Sequence, residues 1–293
     1  MAIMRFNYRS QVLGHYVDIT VTIPTDNLSY FDTSKEQKSF MHQGMQSKRP
    51  MYVPGMKFQT VYVMHGGGDD DSLVFRYTNA ERYAETNCVM LVVPNVVHSF
   101  GADTKYGKPY STFITEELPV VIQALFPSSP RREDNFIIGY AMGGNAALGN
   151  AILAPQNYAA CVDISGGIGY TVRTEQLIEE LKGEHFNKNF PLFVNTFGNA
   201  ETFAGSYNDI GAAAKKLVAE GIEYPKITMV CGSKEHIRKR FEDDVEAMRQ
   251  IGLEVNYILA EGYDHDFVMW DKYVGLALDE ILPLKKAPLY AEE

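Results

Sequence analysis

The chain has 293 residues, of which 45% are apolar and 22% are charged, and its formal net charge is −10. This composition is typical of a globular protein with a sizeable core, and it predicts one large domain or one domain with an inserted lid. The sequence pI is near 5.2. Lys and Arg are scattered except at residues 238–240, so there is no basic face for a nucleic acid.

The N-terminal segment "MAIMRFNYRSQ" lacks the apolar core of a secretory signal, and no apolar run reaches the length that spans a bilayer. We therefore expect a soluble, cytoplasmic protein without membrane contact, unless a signal was removed. Cys88, Cys161 and Cys231 lie in apolar, strand-like runs and lack metal-type spacing. They are predicted to be core thiols rather than a disulfide framework or metal ligands.

Two amphipathic runs open the chain, "MRFNYRSQVLG" and "HYVDITVTIP", and each alternates polar and apolar residues. This alternation predicts an antiparallel hairpin of half-exposed strands. A polar insertion without clear periodicity follows at about residues 25–56, and it is too long for a simple turn. It would lie on a rim, cover the site or contact a second subunit, so a homo-oligomer is compatible with the sequence.

From residue 59 the pattern changes to short apolar runs separated by helical segments. The runs are "QTVYVMHGGG", "CVMLVVPNV", "NFIIGYA", "AACVDISGG", "KITMVCGS" and "EVNYILAEG". Runs of this kind are typical of parallel strands buried on both faces. The sequence thus predicts a single α/β domain over residues 1–293, a doubly wound, mostly parallel sheet preceded by the hairpin.

One connection, at about residues 169–221, is longer than its neighbours and is predicted to form part of a lid or pocket. Within it, "FPLFVNTFG" reads as a further strand, and "SYNDIGAAAKKLVAEG" reads as a helix of good helix formers.

Ligands bind beyond the carboxyl ends of the strands in an open parallel sheet, so the loops there are the place to seek chemistry. The loop from His65 to Asp69 contains three consecutive glycines, which suit an oxyanion hole built from backbone N–H groups. The stretch "GYAMGG" has the glycines of a nucleophile elbow, but Ala141 stands where the nucleophile is needed. Alone, such a stretch is more often than not a tight strand-helix turn, and a glycine-rich turn at a helix N-terminus could equally bind a phosphate.

Two further loops complete the set. Glu235 follows the strand "KITMVCGS" and could orient an imidazole, although a lone Glu is more often a solvated surface charge. His265 follows the last strand and could act as a general base, although a lone His there is more often structural. The order oxyanion loop, nucleophile position, acid and histidine is the chain order of α/β-hydrolases, which favours one active site over four coincidences.

The chain resembles the esterase D and carbohydrate esterase family 1 branch of the α/β-hydrolases, which includes tributyrin, feruloyl or cinnamoyl and acetyl esterases and S-formylglutathione hydrolase. The resemblance is carried by "VYVMHGGGDDDS", "REDNFIIGYAMGGNAAL", "ISGG", "FGNAETFAGSYNDI", "CGSKE" and "EGYDHDFVMW". It implies the α/β-hydrolase fold, with a mostly parallel twisted sheet, an N-terminal antiparallel hairpin and helices on both faces.

Residue by residue, the resemblance puts the nucleophile at position 141, the base at His265 and the acid at Glu235, where relatives usually have Asp. Asp243 and Asp244 are the alternative acids, although they fall inside the next predicted helix. The oxyanion N–H groups would be those of Gly67 and Met142. The substrate-binding residues would be His65, Gly66, Gly68, Tyr140, Phe203, Phe267 and Trp270.

The aromatic loops "HSFGADTKYGKPY" and "NTFGNAETFAGSY" would either stack on a substrate or fill the seam between lid and sheet. With Ser at position 141, the implied activity is hydrolysis of small carboxylic esters through an acyl-enzyme, without metal or organic cofactor. Acetyl, short acyl and hydroxycinnamoyl esters, some of them sugar-linked, fit these parts, and so does a thioester of the S-formylglutathione type.

With Ala141 the chain is expected to bind esters and hardly cleave them, because loss of a triad Ser costs on the order of 10⁶ in turnover. A natural pseudoenzyme or ligand sensor is one explanation, and an engineered Ser-to-Ala change is the other. The retained glycines, His265 and the acidic loop favour the second explanation. Nucleotide or phosphate binding at the elbow is disfavoured, because no Lys follows the glycines as in a P-loop.

Overall fold

The computed structural model describes residues 1–25, 52–166, 172–183 and 191–291. Within them, eight strands form one sheet in the order β1-β2-β4-β3-β5-β6-β7-β8. The strands are β1 (Ala2–Arg9), β2 (Tyr16–Ile23), β3 (Thr60–Met64), β4 (Met90–Pro94), β5 (Asn135–Tyr140), β6 (Ala160–Ile164), β7 (Lys226–Gly232) and β8 (Val255–Ala260).

The strand directions confirm the predicted fold. β1 pairs antiparallel with β2, and β2 pairs antiparallel with β4. All the other neighbours pair in parallel. β2 is almost wholly buried between β1 and β4, so the predicted half-exposed pattern applies only to the outer strand β1.

Helices connect the strands and cover both faces of the sheet. They are α1 (Leu73–Tyr77), α2 (Ala80–Thr86), α3 (Tyr110–Thr112), α4 (Leu118–Leu125), α5 (Met142–Leu153), α6 (Thr174–Lys182), α7 (Pro191–Phe197), α8 (Ala200–Phe203), α9 (Ile210–Ala219), α10 (Arg238–Ile251) and α11 (Phe267–Leu276). Two π-helical segments, Phe113–Glu117 and Ala277–Ile281, and the 3₁₀ turn Arg132–Asp134 complete the elements.

The segment "FPLFVNTFG" is not the strand that its apolar run predicts. Its residues form α7, which begins at Pro191 and ends at Phe197. Pro is well suited to the first position of a helix, and Gly198 follows the last one with φ +79°, a conformation that ends a helix readily. The apolar side chains of α7 therefore follow a helical period, and Phe193 and Phe197 are both buried.

The core consists of two buried clusters, one on each face of the sheet. Successive residues of β3 alternate between them, with Tyr62 and Met64 in one cluster and Val61 and Val63 in the other. All three cysteines are in or beside this core, since Cys161 and Cys231 are buried and Cys88 is partly buried just before β4. Among the described residues, no helix combines the length and apolarity needed to cross a membrane.

Parallel pairing brings the carboxyl ends of β3, β5, β6, β7 and β8 to one edge of the sheet. The four loops predicted to carry chemistry all leave the sheet at this edge. Most of the predicted insertion at 25–56, and the parts of the 169–221 segment at 169–171 and 184–190, lie outside the described residues.

Candidate active site

Position 141 lies at a sharp turn between β5 and α5. Ala141 has φ +51° and ψ −126°, a conformation that L-residues rarely adopt. Its N–H donates to the carbonyl of Ile164 at 2.9 Å, which anchors the turn to β6. Backbone strain of this kind costs about 1–3 kcal/mol and persists only where the surrounding structure enforces it. The turn is that of a nucleophile elbow, with a methyl group at its tip.

Three glycines allow this turn. A Cβ on Gly139 would lie 2.0 Å from the carbonyl oxygen of Gly143, and a Cβ on Gly143 would lie 2.0 Å from the carbonyl oxygen of Met64. A Cβ on Gly144 would lie 2.2 Å from Asp163 Oδ1. Since real side chains do not approach so closely, each position requires Gly. The glycine pattern thus reflects close contact between α5, β3 and β6.

His265 and Glu235, which are 30 residues apart in sequence, meet at this edge. His265 Nδ1 lies 2.8 Å from Glu235 Oε2, and the Glu235 side chain is fully buried. The other oxygen, Oε1, accepts hydrogen bonds from Ser165 Oγ and from the Gly232 N–H, both at 2.7 Å. A carboxylate in this position holds the imidazole with its proton on Nδ1 and leaves Nε2 as the base.

The same contacts set the charge of Glu235. Burial alone raises the pKa of its carboxyl, but the hydrogen bonds from His265, Ser165 and the Gly232 N–H outweigh it and hold the pKa below its usual range. Glu235 is therefore ionised at neutral pH and can stabilise a proton on His265.

Asp243 and Asp244, the alternative acids, are engaged elsewhere. Both lie on α10, where Asp243 pairs with Lys239 and Asp244 accepts from Arg173 Nε at 2.7 Å. Glu235 is the carboxylate that meets His265, because the turn after β7 brings it beneath the loop after β8.

Ser165 and Trp270 complete this side of the site. Ser165 follows β6 with φ +62°, and its Oγ accepts a hydrogen bond from Trp270 Nε1 at 3.2 Å. The Trp270 ring stacks on Tyr140 at 5.1 Å and meets the His265 ring edge to face at 5.0 Å. Trp270 thereby links the residue before position 141 to the histidine. Sequence reasoning missed Ser165 as a site residue, although "ISGG" pointed to its loop.

The two predicted oxyanion donors are neighbours in the structure. A Cβ on Gly67 would lie 3.9 Å from Met142 Cβ, so the glycine loop after β3 passes directly over the start of α5. Gly67 and Gly68 are exposed, whereas Gly66 is buried and its N–H donates to Asp69 Oδ2 at 3.1 Å. Burial raises the pKa of Asp69. The hydrogen bond from the Gly66 N–H to Asp69 closes the loop, and Gly67 and Gly68 at its tip are accessible to a ligand.

His65, predicted to bind substrate, is instead buried inside this loop. Its Nδ1 lies 2.8 Å from the Gly66 carbonyl oxygen, and the N–H of Val96 donates to its Nε2 at 3.0 Å. Both ring nitrogens are occupied by backbone, so the side chain braces the oxyanion loop against the loop after β4 and does not face a ligand. Burial lowers the pKa of His65, which keeps the ring neutral.

Exposed His98 lies beside Gly67 and Gly68 of the oxyanion loop. A Cβ on Gly67 would come within 3.0 Å of His98 Nε2, and one on Gly68 within 3.8 Å of its Cε1. His98 belongs to the aromatic loop predicted to shape the pocket, but the sequence did not single it out. Its position beside the oxyanion loop became visible only in the fold.

The predicted aromatic contacts divide into core and surface. Phe203 is fully buried, and its ring lies 6.1 Å from that of Phe197, which in turn packs against Phe100 at 5.6 Å. These rings fill the seam between the 191–203 segment and the loop after β4. Such packing matches the seam-filling alternative rather than a substrate contact.

Tyr140 is likewise buried, stacked under Trp270. Phe267 is only partly buried, and its ring lies 4.8 Å from Trp270 and 4.9 Å from Tyr77, which is 62% exposed. A continuous series of ring contacts therefore leads from exposed Tyr77 through Phe267 to Trp270, which contacts His265. Among the described residues, no group of three or more His, Cys, Asp or Glu side chains is arranged to hold a metal.

Comparison with known proteins agrees with this geometry. The sequence model of the family described as "Putative esterase" matches residues 45–276, more than three quarters of the chain. The chain belongs to this esterase family. A curated relative, the acetyl esterase of Caldicellulosiruptor saccharolyticus, is 25% identical over 283 residues, covering 95% of this chain and 97% of the relative.

Solved structures of esterase-like hydrolases have the same fold. Fluorophosphonate-binding serine hydrolase F of Staphylococcus aureus, in a substrate-bound form, is 26% identical with a TM-score of 0.76, and the match covers 96% of this chain and 98% of that one. S-formylglutathione hydrolase FrmB of the same organism is also 26% identical, with a TM-score of 0.73 and the same coverage. This esterase family member thus has the α/β-hydrolase fold, and its family and relatives indicate a carboxylic ester hydrolase.

Proposed function

We propose that the protein contains a serine esterase site for small carboxylic esters in which position 141 is the nucleophile position and Ala141 makes the chain inactive. The observation that carries the proposal is the strained backbone of Ala141 beside a paired His265 and Glu235. The strained backbone at position 141, the buried carboxylate of Glu235 and the oriented imidazole of His265 together form a catalytic triad only if residue 141 is a nucleophile.

With Ser at position 141, the reaction has two steps. His265 Nε2 takes the hydroxyl proton while the Ser oxygen attacks the ester carbonyl, and the N–H groups of Gly67 and Met142 stabilise the oxyanion. His265 then gives its proton to the leaving alcohol. Water, deprotonated by His265, attacks the acyl-enzyme, the carboxylic acid leaves, and the Ser hydroxyl is regenerated.

The retained strain supports an inactivated enzyme rather than a long-diverged binding protein. Without a nucleophile to present, nothing in the reaction requires φ +51° at a residue with a Cβ, and Gly would relieve the strain. A chain that had long ceased to catalyse would be free to accept such changes. We therefore infer that the Ser-to-Ala change is recent or introduced.

The leaving group of the ester lies on the Phe267 side of the site in this proposal. Its oxygen must come within hydrogen-bond reach of His265 Nε2, and the same loop continues into Phe267 with Tyr77 stacked behind it. A flat apolar ring, whether aromatic or a sugar face, would find contact there. The acyl group is expected to be small, because the Phe side chains of the 191–203 segment fill the seam against the loop after β4.

The decisive experiment is Ala141→Ser. The variant should gain at least about 10³-fold in hydrolysis of p-nitrophenyl acetate over the parent chain, since a Ser removed from such a site costs on the order of 10⁶. It should also react covalently with a fluorophosphonate at residue 141, as detected by intact mass, whereas the parent chain should not. Ala141→Gly is the matched control, because it changes the same residue without adding a nucleophile.

A panel of substrates then separates the candidates. Ethyl and benzyl acetate have alcohols of similar acidity, so a benzyl preference that Phe267→Ala abolishes would support the leaving-group side. Faster cleavage of S-formylglutathione than of any oxygen ester would favour the thioesterase alternative, which the likeness to FrmB makes specific. If Ala141→Ser neither hydrolyses any of these compounds nor takes the label, the serine esterase assignment is wrong.

A further inference from the structure

Ser165 is the one buried hydroxyl that touches the acid of the site, among the described residues. It is fully buried at the end of β6, and its Oγ lies 2.7 Å from Glu235 Oε1. Its backbone is fixed as well, because the Ser165 N–H donates to the carbonyl of Val230 at 2.8 Å. The residue before it, Ile164, accepts the N–H of Ala141. One turn therefore holds both the nucleophile position and the acid.

The direction of the Ser165 hydroxyl is set by Trp270. Indole Nε1–H can only donate, and it lies 3.2 Å from Ser165 Oγ, so the oxygen acts as acceptor in that contact. The hydroxyl proton is then available for another acceptor. Met269 Sδ at 3.9 Å is a poor one, whereas the Glu235 carboxylate at 2.7 Å is a strong one. The chain of donors runs from Trp270 to Ser165 to Glu235.

We propose that Ser165, oriented by the indole of Trp270, is a positioning residue that fixes the Glu235 carboxylate so that Oε2 faces His265 Nδ1. Glu has one more rotatable bond than Asp, so its carboxylate needs additional contacts to keep one orientation. The Gly232 N–H and Ser165 both bind Oε1, and together they leave Oε2 for the imidazole. The proposal rests on the function proposed above, but its central test does not require catalysis.

The backbone conformation of Ser165 allows the role of its hydroxyl to be separated from the role of its backbone. At φ +62° a Gly has a lower conformational energy than a residue with a Cβ. Ser165→Gly therefore relieves strain and removes the hydroxyl, whereas Ser165→Ala keeps the strain and removes the hydroxyl. If Ser165 serves only the turn, Gly should behave like the parent. If the hydroxyl positions Glu235, both variants should lose the fixed contact between Glu235 and His265 to the same extent.

The first measurement uses the chain as it is, with Ala141. A proton on Nδ1 that bonds to a carboxylate gives a low-field ¹H NMR signal, which Glu235→Gln should abolish and so assign. We expect this signal to shift upfield or to exchange faster with water in both Ser165→Ala and Ser165→Gly. Trp270→Phe, which keeps a ring but removes the N–H, should produce the same change to a smaller extent. An unchanged signal in both Ser165 variants would overturn the proposal.

The second measurement uses Ala141→Ser as the background. Ser165→Ala and Ser165→Gly should each lower kcat by about 10- to 100-fold, the size of effect seen when a hydrogen-bond partner that orients a metal ligand is removed, with KM within about twofold. Full kcat in the Gly variant would overturn the proposal. If Ala141→Ser itself is inactive, the proposed function fails, but the NMR result still decides the role of Ser165.

Discussion

The acid-base side and the oxyanion side of the site are built in different ways. On the acid-base side, the loops after β6, β7 and β8 supply Ser165, Glu235 and His265, whose side chains are joined by hydrogen bonds of 2.7–2.8 Å. On the oxyanion side, the turns that follow β3 and β5 are rich in glycine, and the geometry depends on the absence of side chains. The first side should therefore be sensitive to loss of polar atoms, and the second to the addition of carbon atoms.

The largest effect is expected on the acid-base side. In the Ala141→Ser background, Glu235→Gln should lower kcat by on the order of 10³- to 10⁴-fold, because the amide no longer stabilises the proton on His265. Steady-state kinetics on p-nitrophenyl acetate would measure this loss. Asp243→Asn and Asp244→Asn are the controls and should stay within about threefold of the background. A larger loss of kcat in either control would show that the acid of the site is on α10 and is not Glu235.

The corresponding change on the oxyanion side adds one carbon atom. Gly143→Ala places a Cβ 2.0 Å from the Met64 carbonyl oxygen, so the elbow must move, at an expected cost of more than about 3 kcal/mol in the free energy of unfolding. Urea denaturation would measure it. Gly221→Ala is the control, since its Cβ would meet nothing within 4 Å and only its φ of +63° is unfavourable. We expect about 1 kcal/mol there. Equal losses at the two positions would contradict the steric explanation.

The oxyanion side also contains a buried titrating group, His65. Burial lowers the pKa of His65 below its ordinary value of 6.5, so the unfolded chain binds a proton that the folded chain does not. The free energy of unfolding should accordingly fall as the pH drops below about 6.5, with a slope of up to about 1.4 kcal/mol per pH unit from this residue. The melting temperature, measured from about one pH unit above 6.5 to about one unit below it, should fall with the pH in parallel with the free energy of unfolding.

His65→Gln identifies the source of this dependence. Gln can donate and accept but does not titrate, so the part of the slope due to residue 65 should disappear. A slope of the same size in the variant would show that other groups cause it and that His65 is not the sensitive point of the oxyanion loop.

The smallest expected effect lies where the two sides meet. Ala141→Gly should raise the free energy of unfolding by about 1 kcal/mol, because relief of the strain at φ +51° exceeds the entropy that Gly adds to the unfolded chain. Ala146→Gly, in the buried interior of α5, is the matched control and should lower stability by about 1 kcal/mol or more. A loss of stability in both variants would mean that the turn at 141 is not strained.

The pattern of apolar runs predicted most of the fold correctly, since a strand buried on both faces must be apolar throughout. It failed at residues 191–197, because a short apolar run satisfies a strand or a helix equally until its packing is known. For the site, the order of the loops favoured one site containing Glu235 and His265, and the resemblance to the esterase branch paired Gly67 with Met142. His65, Tyr140 and Phe203, which were predicted to bind substrate, are buried in the structure. The sequence pattern did not show this, because burial depends on what packs over a residue.

By itself, the sequence determined the sharp turn at position 141, since glycines two residues before and two and three residues after it admit a turn that other residues forbid. Only the tertiary structure decided which groups surround that turn. Ser165, Trp270 and His98 come from segments that are distant in the chain, and a hydrogen bond or ring contact between such residues leaves no periodic trace in the sequence.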